Sequence, residues 1–114
     1  MGAFVISKRF NDEYKFVFTS RKGKPIFSST SFELKFECEG AIDFFKENIE
    51  KAVFVKQKSS AGKYFFRLLF DGELFAVSRK YSTELRLLKG IEEINRYAVK
   101  SEVLDFSESD NIFG

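Results

Sequence analysis

The feature that most constrains this chain is that its first half reappears in its second. Ala3-Phe4-Val5 recurs as Val53-Phe54-Val55, Lys8 is answered by Lys58, and Tyr14, Phe16 and Phe18 recur as Tyr64, Phe66 and Leu68. After a one-residue slip in a turn, Gly23 is answered by Gly72, Ser29 by Ser78 and Phe32 by Tyr81. Gly40 then matches Gly90, each followed by apolar residues at helical spacing. An ordered series over almost the whole chain is the signature of a duplicated structural unit. The expected organisation is a single domain, 1–106, made of repeat 1 (1–52) and repeat 2 (53–106). An acidic tail, 107–114, follows and is expected to be disordered.

Each repeat carries the same local signals. Segment 3–8 reads as a strand, and Asn11-Asp12-Glu13 as a turn. Tyr14, Phe16 and Phe18 alternate with Lys15, Val17 and Thr19, the period-two pattern of a half-buried strand. Gly23 closes a turn that needs positive φ, and Pro25 opens a third strand at a position where proline is tolerated. Leu34, Cys38, Ala41, Ile42, Phe45 and Ile49 then fall on one helical face, as do Leu87, Leu88, Ile91, Ile94 and Ala98 in repeat 2. Thr83 is the expected N-cap of the second helix, with Glu84 near the positive end of its dipole.

A glycine inside a helix costs about 1 kcal/mol relative to alanine. Gly40 and Gly90 therefore point to close helix–sheet packing in both repeats, or alternatively to a helix break. Segments 53–58 and 99–106 each read as a strand passed onward to a sheet edge. The resulting expectation is an α+β fold: two tandem β(3)-α-β repeats forming one antiparallel sheet. Both helices lie on one face, and the C-terminal strands are exchanged between halves. Sixteen Phe supply a core for such a thin two-layer fold.

These residues resemble the YegP-like proteins, small and mostly prokaryotic chains of unknown function built from one or two copies of a short motif. The motif is matched by Phe4, Tyr14-x-Phe16, Gly23, Ser29-x-x-Phe32 and Gly40-Ala41-Ile42. It is matched again by Phe54, Tyr64-x-Phe66, Gly72, Ser78-x-x-Tyr81 and Gly90-Ile91. The first copy departs where Phe32 stands for tyrosine and Ala41 separates Gly from Ile. The resemblance implies the β(3)-α-β arrangement with strand exchange and carries no catalytic residues.

The chemistry available is narrow. The chain has no histidine and one cysteine, which removes Ser-His-Asp and Cys-His catalysis and an ordinary zinc site. It has no GxxxxGK[ST] loop and no GxGxxG, so no nucleotide-phosphate cradle and no cofactor is expected. Cys38, on an apolar helix face, is expected to be a buried, inert thiol. The carboxylates alternate with Lys and Arg as ordinary surface charge does. A non-enzymatic domain is expected, without catalytic, cofactor or metal residues. The N-terminus lacks signal-peptide regions, no apolar run reaches membrane-spanning length, and the expected location is the cytoplasm.

The candidate interaction surface is the sheet face turned away from the helices, carrying Val17, Phe65, Arg67 and Leu69. Three readings of it stand: contact with a protein partner or a second copy, ordinary partial burial, or nucleic-acid binding. The last would use Phe65 and Arg67 with Lys56, Lys58 and Lys63. No RNP-like signature accompanies the patch, and a net charge of +2 gives no strong polyanion-binding case.

Overall fold

The computed structural model describes residues 2–107, so the acidic tail beyond Ser107 lies outside the described residues. The chain runs β1 (Ala3–Lys8), β2 (Tyr14–Thr19), β3 (Pro25–Ser29), α1 (Lys35–Glu47), β4 (Val53–Lys58), β5 (Tyr64–Phe70), β6 (Glu73–Ser78), α2 (Glu84–Tyr97) and β7 (Glu102–Asp105). All seven strands form one sheet in the order β4-β5-β6-β3-β2-β1-β7. The first six are antiparallel and mirror each other about the β3–β6 junction. The seventh departs from the all-antiparallel expectation: β7 joins β1 in parallel. Its exchange is as expected, because β7 follows the second helix yet pairs in the first half.

Side-chain alternation sends one set of residues toward the helices. Phe4, Phe16, Phe18, Phe27, Phe66 and Leu68 are fully buried from the sheet, and Cys38, Ile42, Phe45, Leu87 and Ile94 from the helices. All belong to one apolar cluster, so both helices cover the same face. The first half fills its share with rings: Phe45 of α1 packs 6.0 Å from Phe4, 5.6 Å from Phe27 and 5.6 Å from Phe75. The second half puts Ile94 and Leu87 where the first has Phe45 and Cys38.

Several repeated residues acquire a reason. Ser29 Oγ accepts from the Phe16 N–H at 2.9 Å and donates to the Thr30 carbonyl at 2.8 Å. Ser78 Oγ does the same between the Phe66 N–H, at 2.9 Å, and the Arg79 carbonyl, at 2.7 Å. Each hydroxyl thus pairs backbone groups at a strand end, where the ladder no longer supplies partners. Gly23 and Gly72 adopt φ of 82° and 79°, as their turns require. Thr83 caps α2 as expected, its Oγ1 accepting from the Arg86 N–H at 3.2 Å.

The helices correct the expected alignment. Cys38, Ile42 and Phe45 occupy the face that Leu87, Ile91 and Ile94 occupy, and Leu34 and Thr83 are the two N-caps. Gly90 is therefore opposite Ala41, not Gly40. Gly90 is buried against Tyr81, whereas Gly40 is exposed with nothing within 4 Å of an added Cβ. The close-packing expectation holds for one glycine and fails for the other, and neither breaks its helix. Leu34 and Leu88, placed on the buried faces by periodicity, are 51% and 42% exposed. Both chain segments leaving the helices also turn before resuming as strands. Ile49–Lys51 and Ala98–Lys100 are short 3-10 turns, which is why β7 starts at Glu102 rather than near Val99.

Candidate functional site

The face away from the helices carries a single transverse row. Pairing across the sheet aligns Val55, Arg67, Val77, Ser28, Val17, Val5 and Leu104, one residue from each strand. Val17 and Arg67 share this row, three strand spacings apart, or about 14 Å. Phe65 lies one step along β5, opposite Gln57, and Leu69 the other way, between Val53 and Leu74. The four residues therefore share a face without forming one compact cluster. Val53, Leu74, Val55 and Val77 around them are exposed apolar side chains.

The lysines expected to assist Phe65 and Arg67 are elsewhere. Lys56 pairs with Phe66 and so faces the helix side, where its Nζ is 3.8 Å from a Glu84 carboxylate oxygen of α2. Lys58 is on that same side, its Nζ 5.4 Å from the centre of the Tyr64 ring. Lys63 sits in the β4–β5 turn. Period-two alternation separates the set and leaves Arg67 alone of it on the open face, where Lys15, opposite Ser7, is a distant second cation rather than part of a basic patch.

Cations do gather at a place that no sequence motif marked. A cleft of about 500 Å³ is lined by Lys24 of the β2–β3 turn, Lys63, the β6–α2 segment 79–82, and Arg86, Lys89, Gly90 and Glu93 of α2. Six of these residues are basic (Lys24, Lys63, Arg79, Lys80, Arg86 and Lys89) against the one carboxylate of Glu93. Among the described residues none of the six lies in an ion pair. The Arg79 guanidinium rests 5.1 Å from the centre of the Tyr81 ring. The Glu93 carboxylate accepts from the Arg21 N–H at 3.3 Å.

Tyr81 forms the wall between cleft and core. Its ring is 9% exposed, and a Cβ on Gly90 would stand 2.5 Å from its Oη and 3.1 Å from its Cζ. Gly90 thus lets the 79–82 segment lie directly on α2. Burial, opposed by Arg79 and assisted by Glu93, raises the phenol above its ordinary value, so at neutral pH it keeps its proton and remains a donor.

The mirror arrangement of strands places a second cleft, of about 320 Å³, across the junction. It is lined by Phe44 of α1 and by Phe70, Asp71, Glu73, Leu74 and Phe75 of the β5–β6 hairpin. Here Phe44 stands where α2 has Glu93, and Glu73 where the other hairpin has Lys24.

Two further groups belong to the scaffold. Cys38 is buried, and desolvation, with Glu39 and Asp105 nearby, pushes its thiol up to about 11; it stays an unreactive thiol at neutral pH. Asp105 is held down to about 2, first by the Ser107 hydroxyl that donates to it and then by Lys35, whose Nζ is 2.9 Å away. This clasp ties the end of β7 to the start of α1. Among the described residues no group of His, Cys, Asp or Glu is arranged to hold a metal, and no helix is long and apolar enough to cross a membrane.

Residues 59–105 match the sequence profile of a family described as a domain of unknown function (DUF1508). That stretch includes Lys63, the 79–82 segment and all of α2. Two solution NMR structures share the fold over nearly the full length. One is a UPF0339 protein from Shewanella oneidensis, 22% identical, with a TM-score of 0.82 over 93% of this chain and 92% of that one. The other is the protein of unknown function yegP from E. coli, 24% identical, with a TM-score of 0.81 over 93% of each chain. Comparison with curated proteins finds no match. The expected α+β fold, one sheet and two helices, is the fold of these proteins. The chain thus has the fold of these YegP-like proteins, and its residues 59–105 are similar to the DUF1508 domain.

Proposed function

We propose that this is a non-enzymatic binding domain, built from tandem units 1–52 and 53–106, that works by protein–protein contact through the open face of its sheet. The observation that carries the reading is the row from Val55 to Leu104, apolar but for Arg67 and Ser28, which no described element covers. Apolar sheet surface of this extent marks an interaction site more often than a solvated face. Val17, Phe65, Arg67 and Leu69 are its candidate contact residues. A second copy of the chain is the first occupant to test, because face-to-face sheet packing buries such rows at about 10 Å separation.

Sedimentation equilibrium of the wild type and of Phe65→Glu and Leu69→Glu variants checks this. The expected result is a mass above the monomer that the variants reduce. A monomer at every concentration, with variants that also recover the same partners from lysate as the wild type, would end the reading.

A further inference from the structure

We propose that the cleft between the β2–β3 turn and α2 binds a small anion carrying two or more phosphoryl groups, held by Lys24, Lys63, Arg79, Lys80, Arg86 and Lys89. The site is independent of the sheet face, because its residues lie on the helix side and at the strand ends.

The case begins with charge. Six exposed cations around one cleft repel each other, and the protein as a whole carries a net charge of only +2. Concentrating like charge in one concavity raises the local potential far above what that net value suggests. The cations are not required by the fold. The five cations of the second half are answered in the first by Glu13, Thr30, Ser31, Glu37 and Gly40, and Lys24 is answered in the second by Glu73, so no counterpart is a cation. Equivalent backbone is thus built without positive charge, so an anionic occupant is what accounts for it.

Shape selects the size of that occupant. About 500 Å³ is the volume of a small-molecule pocket rather than of a groove that tracks a polymer. Polymer binding to single strands also needs aromatic faces on which bases stack. The one aromatic residue of the cleft, Tyr81, is 9% exposed and already carries the Arg79 guanidinium on its ring. The donors come from four separate segments around the cleft, which suits several phosphoryl groups better than one. Arg79 and Arg86 can present paired N–H donors to phosphoryl oxygens, and the lysines act as point charges. Tyr81, protonated, and Ser82 add hydroxyl donors at the wall.

The test is calorimetric titration of the full chain with inorganic tripolyphosphate and, separately, with mixed-sequence single-stranded DNA, at low and moderate salt. An Arg86→Gln/Lys89→Gln variant and a Lys56→Gln/Lys58→Gln control, which removes equal charge outside the cleft, run alongside. All four side chains are exposed, and amide NMR spectra establish that each variant is folded. The expected result is one tripolyphosphate site whose affinity falls at least tenfold in the first variant and less than twofold in the control. Amide shifts should centre on Ser82 and Gly90. No binding at millimolar tripolyphosphate in low salt would overturn the proposal, as would equal losses in both variants. Binding of DNA but not of tripolyphosphate would overturn it in favour of a polymer.

Discussion

The two clefts on either side of the β3–β6 junction occupy corresponding places in the sheet and have opposite chemistry. The one beside α2 is basic; the one beside α1 is lined by Phe44, Phe70, Leu74 and Phe75 with two carboxylates. Their walls differ in a coordinated way. Tyr81 faces Gly90, whereas Phe32 and Ala41 hold the matching positions of the first half. Where the ring carries a hydroxyl the helix gives up its Cβ, and where the ring lacks one the helix keeps it. Shared backbone therefore determines where a cleft forms, and a few side chains determine whether it attracts anions or apolar groups.

The largest effect should come from the aromatic half of the core. Phe45 is fully buried among Phe4, Phe27, Phe70 and Phe75. Phe45→Ala is expected to cost about 3–5 kcal/mol in urea denaturation. A loss under 1 kcal/mol would mean that the ring cluster contributes little and that the halves are held alike.

The Tyr81–Gly90 contact comes next. Gly90→Ala should destabilise by about 1–3 kcal/mol, because overpacking outweighs the helix-propensity gain. Adding Tyr81→Phe, which copies the first half, should recover most of that loss by removing the atom 2.5 Å from the new Cβ. Failure of the second change to rescue the first would break the proposed coordination. Gly40→Ala should instead stabilise by up to about 1 kcal/mol, since the new methyl meets open space.

The smallest effect concerns the two edges of the sheet, β1 covered by β7 and β4 uncovered among the described residues. Asp105 is depressed to about 2, so its contribution is complete above the ordinary carboxylate value near 4. It is lost as pH falls from about 4 through about 2. Amide exchange in β7 should rise over that window ahead of exchange in β4, and Asp105→Asn should abolish the pH dependence. Equal response of both edges would show that the clasp does not hold β7.

Much of this architecture was legible in the chain because its determinants are local. Alternating Tyr14, Phe16 and Phe18 announced a strand, Gly23 and Gly72 their turns, and Thr83 its helix. The paired Ser29 and Ser78 could be seen to recur, although their shared backbone bridging could not. The mistaken pairing of Gly40 with Gly90 shows the limit: identity of letters suggested one alignment, and packing of Cys38, Ile42 and Phe45 imposed another, one residue away. Val17, Phe65, Arg67 and Leu69 were correctly turned to the open face, since alternation alone decides that. Lys56 and Lys58 were not, because the face they take follows from their pairing with Phe66 and Tyr64.

By itself the sequence determined the elements, their order and, Leu34 and Leu88 apart, the side chains each would bury, because a strand's period and a helix's period are properties of neighbouring residues. Only the tertiary structure decided that β3 pairs with β6, and with it the position of both clefts. Lys24, Lys63, Arg79 and Arg86 read along the chain as scattered surface charge among carboxylates. They become one site because the sheet order brings three loops and a helix together, and that proximity is a long-range property with no local signal.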